Sequence, residues 1–135
     1  MSELPIGYWL KHLDRLIESD FDRILAAESL GRRHWQVLHS LHGGSATVDE
    51  LDDRLAPFLQ EQEQTVAPVV EQLRARRWVQ GQGSLSVTEA GGRVHQELFE
   101  RIQQSQRRLS EGVSERDYRA AVQVLEQMSA NLENG

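Results

Sequence analysis

Residues 47–88, TVDELDDRLAPFLQEQEQTVAPVVEQLRARRWVQGQGSLSVT, hold the part of the chain whose reading decides the fold. Thr47-Val-Asp-Glu50 fits a capping box, in which the Thr hydroxyl and the Glu carboxylate each satisfy a free amide at a helix start, and Leu51 and Leu55 follow at one-face spacing. Val66, Val69, Val70 and Leu73 then recur at i, i+3, i+4 and i+7, which predicts a second helix. Trp78-Val79 and Leu85-Ser86-Val87 are short β-prone runs around Gly81-Gln82-Gly83, whose glycines accept positive φ in a tight turn. Thr88 can cap a further helix. Two helices and a hairpin in this order predict a winged helix-turn-helix, an arrangement suited to duplex DNA.

Outside this stretch both ends read as helix. Ile6, Leu10, Leu13, Ile17, Phe21 and Ile24 lay one apolar stripe along many turns. A shorter helix carries Trp35, Leu38 and Leu41 on one side and ends at His42-Gly43-Gly44-Ser45. After the hairpin a long helix carries Val94, Leu98, Ile102 and Leu109 until Gly112, and Ser114-Glu-Arg-Asp117 restarts one with Tyr118, Val122, Leu125, Met128 and Leu132 on its inner side. The stretch from Asn131 to Gly135 reads as frayed. The two terminal stripes offer more apolar face than one small winged domain covers, and a two-fold partner would cover it. The alternative is that these helices pack only on each other within one chain.

Composition bounds the function. The 135 residues, 39% of them hydrophobic, amount to one ordinary domain with one core. There is no cysteine, so disulfides, thiolate nucleophiles and Cys-type zinc sites are excluded. Met-Ser-Glu-Leu-Pro lacks a basic region leading into an apolar run, and no apolar stretch approaches bilayer-spanning length; the expectation is a cytoplasmic protein without membrane contact. The net charge of −6 sits awkwardly with binding to phosphates, although the local potential at the contact face is what counts. No phosphate-cradling glycine motif, GxSxG elbow or HExxH is present, so no catalysis and no cofactor are assigned.

The chain resembles the MarR (multiple antibiotic resistance regulator) family of bacterial transcription factors over almost its whole length. The resemblance rests on Gly7-Tyr8 with Leu10 and Leu13; Trp35-Gln36-Val37-Leu38; Val48-Asp49-Glu50-Leu51 with Arg54-Leu55; Thr65-Val66 through Leu73; Leu85-Ser86-Val87-Thr88-Glu89-Ala90-Gly91; and Val113-Ser114-Glu115. It implies a mainly α fold with a small β-hairpin wing: a single domain over 1–135, dimerisation helices at 1–30 and 110–135, a winged core at 31–92 and a long linking helix at 88–111. It also implies a homodimer that binds a pseudo-palindromic operator, usually as a repressor, relieved in many members by a small molecule. The dimer residues are then Ile6, Leu10, Leu13, Ile17, Leu125, Met128 and Leu132.

For the DNA-reading face the resemblance points to the second central helix and its approaches: Gln60, Gln62, Gln64 and Thr65 toward base edges, Arg74, Arg76 and Arg77 as a basic patch, Arg32, Arg33 and Arg54 as phosphate contacts, and Gln82 and Ser84 on the wing. Four departures from the family stand out. Glu61 and Glu63 interrupt the glutamines, and Pro68 lacks an amide proton; a helix start near Gln64 keeps Pro68 within or close to the first turn. Ala56-Pro57-Phe58-Leu59 lengthens the preceding connection, an ordered loop with Phe58 or Leu59 tucked inward. The wing tip carries neither Asp nor Arg, and Arg77 stands where the family has a glycine ending the helix, so it must adopt an ordinary conformation or accept strain. Between Arg32 and Ala90 the net charge is −2. These departures leave a second reading open: a dimer of the same fold that has lost operator binding and serves as a ligand-sensing or protein-interaction module.

Two side-chain groups invite ligands. Tyr8, Trp9, His12, Trp35 and His39 can line an effector cleft, although aromatics at helical spacing are more often core. His39-x-x-His42, with His12, His34 and His95, has imidazoles enough for zinc but no accompanying thiolate or carboxylate set, and ordinary helix-surface or half-buried histidine is the preferred reading.

Overall fold

A computed structural model describes residues 3–134; the sequence readings that touch Met1, Ser2 and Gly135 lie outside them. The elements run α1 (Ile6–Ala26), α2 (Arg32–His42), α3 (Val48–Leu55), a 3-10 turn (Ala56–Phe58), α4 (Ala67–Ala75), β1 (Val79–Gln80), β2 (Ser86–Val87), α5 (Glu89–Leu109) and α6 (Glu115–Glu133). The chain divides into two compact units, one through Ile102 and the other from Gln103 onward.

The first unit holds the core. Leu25, Val37, Leu38, Leu51, Val66, Val70, Leu73, Val79, Leu85 and Leu98 are its fully buried large side chains, so the apolar faces of α2, α3 and α4 close on the hairpin and on the early part of α5. The capping box forms as read: the Glu50 amide donates to Thr47 Oγ1 and the Thr47 amide to Glu50 Oε1, each at 3.1 Å. This places the Glu50 carboxyl below its ordinary range, chiefly through the Thr47 backbone amide.

The hairpin is antiparallel, with Val79 opposite Val87 and Gln80 opposite Ser86. Ala46 and Leu85 add a bridge by exchanging both backbone hydrogen bonds, at 3.1 and 2.8 Å, which ties the wing to the segment entering α3. Gly81 is required in the turn, because at φ +106° a Cβ there would lie 2.3 Å from the Ser84 carbonyl oxygen.

Three boundaries differ from the sequence reading: α6 runs through Glu133, so residues 131–133 are helical rather than frayed, and two earlier boundaries shift for causes visible in their contacts. α4 begins at Ala67 rather than near Gln64. A cap at Gln64 would demand an amide proton from Pro68 for the first intrahelical bond; with Val66 at the cap, Pro68 falls in the first turn and that bond runs from the Val70 amide to the Val66 carbonyl at 3.0 Å. Asp52 on α3 fixes the alternative, accepting from the Val66 amide and from Thr65 Oγ1, both at 2.7 Å. The second shift removes Trp78 from the first strand. Its amide donates to the Leu73 carbonyl at 3.1 Å while the Arg77 amide donates to Arg74 at 2.9 Å, the two bonds of a Schellman motif. Arg77 occupies the left-handed position of that motif at φ 64°, so the strained option is the one adopted. The 3-10 turn orders the longer connection before α4, with Leu59 packed against the core and Phe58 57% exposed.

The second unit comprises the end of α5, a turn with Gly112 at φ 80°, and α6, whose Ser114 hydroxyl accepts from the Asp117 amide at 3.0 Å. No described residue of α6 is buried: Tyr118, Val122, Met128 and Leu132 are exposed and Leu125 is half-buried. In the first unit Ile6, Leu10, Leu13 and Ile17 of α1 are exposed as well, whereas Phe21 packs on the core and Ile24 belongs to it.

Candidate nucleic-acid interface

α4 buries Val70 and Leu73 inward and leaves Pro68, Glu71, Gln72 and Ala75 exposed on the other side. Gln60, Gln62 and Gln64 are exposed in the segment before it, not on its first turn, because the Asp52 bonds hold Thr65 and Val66 as the helix entry. Thr65 is half-buried; its hydroxyl donates to Asp52 and accepts from the Ala67 amide at 3.2 Å, so its single O–H donor is spent on the cap.

Glu63 does not stand as a free negative charge. Arg33 reaches it with two bonds, Nε to Oε2 at 2.9 Å and Nη2 to Oε1 at 2.7 Å, and also donates to the Phe58 carbonyl at 2.7 Å. The Arg33 hydrogen bond is the main reason the Glu63 carboxyl falls to about 2, with the Gln60 amide assisting. This fork pins the whole connection between α3 and α4 to the start of α2. Glu61 remains exposed.

The arginines separate into two groups. Arg74 Nη1 donates to the Gly81 carbonyl at 2.7 Å, bracing the wing turn against α4. Arg76 donates to the Glu28 and Ser29 carbonyls at 2.6 and 3.1 Å, with its guanidinium 4.8 Å from the Trp78 ring centroid. It thereby clamps the turn between α1 and α2 to the end of α4. Arg77 and Arg54 are exposed, the latter with one bond to Ser40 Oγ at 3.2 Å, and Gln82 and Ser84 are exposed at the wing tip. Arg32 is held by Asp22 at 2.9 Å, which is the main cause of its raised pKa.

The aromatic residues read as one effector cleft fall into two clusters. Tyr8, Trp9 and His12 contact one another on α1, with centroids 5.1 to 6.2 Å apart. Trp35 and His39 instead join His95 and Phe99 in the first unit. From the sequence, His95 enters only among the histidines weighed as metal ligands; among the described residues no group of three or more His, Cys, Asp or Glu side chains is placed to hold a metal. No described helix is long and apolar enough to cross a membrane.

An α4 that follows α3 through an ordered, hydrogen-bonded connection and is followed by a braced hairpin is a winged helix-turn-helix. With the long helices α1, α5 and α6 added, the fold is that of MarR structures. The chain matches a putative MarR family transcriptional regulator from Clostridium acetobutylicum at 10% identity and a TM-score of 0.76, covering 94% of this chain and 98% of that one. It matches the reduced form of MarR from E. coli at 14% identity and 0.68, covering 94% and 95%. A Mycobacterium tuberculosis MarR family protein in complex with DNA matches at 16% and 0.71, covering 93% and 98%. No protein-family model and no curated protein matches the sequence.

Proposed function

We propose that this chain is a homodimeric, sequence-specific DNA-binding transcriptional regulator, acting as a repressor in the cytoplasm. The observation that carries the reading is the exposed polar rim of α4: Gln60, Gln62 and Gln64 before it and Arg77 after it, presented on a fold that a DNA-bound protein shares. In this reading glutamine amides reach base edges, and Arg54, Arg77, Gln82 and Ser84 meet the phosphate backbone. Thr65, Arg74 and Arg76 build the frame that aims them. The exposed faces of α1 and α6, with Ile6, Leu10, Leu13, Ile17, Leu125, Met128 and Leu132, join two copies on a pseudo-palindromic operator. Tyr8, Trp9 and His12 are the exposed residues suited to a small-molecule effector.

A second reading has its own support. The exposed carboxylates Glu61 and Glu71 beside the reading helix, and the engagement of Arg74 and Arg76 with backbone carbonyls, favour a dimer of this fold that senses a ligand or a protein without operator binding.

Titration of the protein against the duplex upstream of its own gene, with a shuffled duplex as competitor, separates the two. Specific binding should fall with salt as roughly −0.9 per neutralised phosphate on logarithmic axes. Gln64→Ala should then cost about 1–3 kcal/mol of discrimination. Equal and feeble affinity for both duplexes would support the second reading.

A further inference from the structure

His95 is a histidine in an unusual position. It lies on the second turn of α5, 2% exposed, with its ring covered from α2. The His42 ring stacks on it with centroids 3.8 Å apart and planes 11° from parallel. Trp35 lies at 5.0 Å and Phe99 at 5.7 Å. Its Nε2 is 2.8 Å from His39 Nδ1, and its Nδ1 is buried without a hydrogen-bond partner. His39 and His42 are themselves exposed, so two imidazoles open to solvent close over one that is not.

That geometry admits one proton between His39 and His95. With His95 donating through Nε2, its orphaned Nδ1 is a bare acceptor. Adding a proton to His39 Nδ1 then sets two donors against each other at 2.8 Å. Turning His95 to the other tautomer relieves that opposition only by placing an unpartnered N–H in the core, which costs the desolvation of a buried donor. A proton on His95 itself creates a charged N–H at the same place. The charged groups acting on His95 are His42 and His39, both from α2; among the described residues no carboxylate compensates and no arginine or lysine contributes.

We propose that His39, His42 and His95 form a proton-sensitive latch that holds the start of α5 against α2 when neutral and releases it on acidification. The start of α5 is where release matters. Thr88 connects it to the wing, and Gly91 packs so closely on the end of α4 that a Cβ there would lie 2.2 Å from the Trp78 carbonyl oxygen. Loosening these turns therefore loosens the wing and the α4 C-terminus together. Burial, then His42 and His39, lowers the His95 pKa from 6.5 to about 4. The unfolded chain takes up a proton at this residue below about 6.5 while the folded chain refuses it until about 4, so stability is full above 6.5 and is lost as pH falls through that window.

The experiment needs no DNA, so it stands or falls apart from the regulator reading. Urea unfolding of the wild-type chain and of His95→Phe is followed from pH 7.5 to 4. The wild-type unfolding constant should rise by up to about tenfold per pH unit relative to the variant, one proton's worth of linkage. Amide exchange over residues 91–99, corrected for its intrinsic pH dependence, should quicken in the same window. Should His95→Phe not fold, ring NMR of the wild type gives the His95 midpoint directly, expected well below 6.5, and His42→Gln should move it upward by removing the stacked ring. A His95 midpoint near 6.5, superposable pH profiles for the two chains, or unchanged protection of residues 91–99 would each overturn the latch.

Discussion

Thr88 ties down Arg77: the threonine hydroxyl donates to the Arg77 carbonyl oxygen at 2.6 Å and accepts from the Gly91 amide at 3.0 Å. One side chain thus caps α5 and fixes the left-handed residue that ends α4, setting the spacing between α4 and the wing. An arginine at φ 64° carries a steric cost that glycine lacks. Arg77→Gly should therefore stabilise the fold, by about 1 kcal/mol in urea unfolding. If Arg77 contacts phosphate, the same variant binds duplex more weakly although it is more stable, and that opposition of signs distinguishes a functional arginine from an accidental one. A loss of stability would mean that the side chain contributes more than its backbone costs.

Asp52 should prove the residue that sets where α4 begins. It accepts from the Val66 amide, on a fully buried residue, and from the Thr65 hydroxyl, both at 2.7 Å. Asp52→Ala leaves a backbone donor unsatisfied in the core and removes two charge-assisted bonds, for an expected loss of about 2–3 kcal/mol. Asp52→Asn keeps the shape and one good acceptor and should lose less. Chemical denaturation of the two variants side by side reads the difference; equal losses would show that the charge, not the geometry, holds the entry to α4.

How much of this was legible beforehand depended on how far apart in sequence the interacting groups lie. The Thr47–Glu50 capping box and the Val66, Val69, Val70, Leu73 face follow from neighbours within one or two turns, and each forms as read. The start of α4 was misplaced by three residues because its decisive partner, Asp52, lies on the preceding helix. The arginine triplet Arg74, Arg76 and Arg77 looked uniform, yet two of its members turn toward carbonyls at Gly81, Glu28 and Ser29. The last two are 48 and 47 positions from Arg76, beyond any local pattern. The partnership of His95 with α2 was only half visible for the same reason; the i, i+3 spacing of His39 and His42 marked one side of it, and His95 stood beside His12 and His34 with nothing local to single it out.

Acid should act on the interface through a second group besides His95. Glu63 is held at about 2 by Arg33, against an ordinary value of 4.5. Its ion pair contributes fully above about 4.5 and is lost as pH falls from there toward 2, a window below that of His95. Glu63→Gln should be less stable than wild type at pH 7 and converge with it only near pH 2. Urea midpoints measured across that range test this, and parallel curves would mean that the Arg33 fork does not survive in solution.

Assembly supplies the last prediction. On α1, Ile6, Leu10, Leu13 and Ile17 are between 44 and 53% exposed, and on α6 Met128 and Leu132 are 43 and 85% exposed. A leucine or isoleucine taken from half-exposed to covered gains on the order of 1 kcal/mol, so two copies of such stripes together can supply the area that a stable dimer requires. Leu13→Glu or Met128→Glu sets a carboxylate against that face twice per two-fold interface, and neither side chain belongs to the core that folds the first unit. Sedimentation at micromolar concentration should give a dimer for the wild-type chain and a folded monomer for the variants, with circular dichroism unchanged. If the chain binds a palindromic operator as proposed, that affinity should collapse in the same variants, because a dimer would set two copies of α4 on the duplex as a unit whereas one alone relies on half the contacts. A wild-type chain that sediments as a monomer would leave the apolar faces of α1 and α6 without a two-fold explanation and remove the geometric basis for a palindromic site.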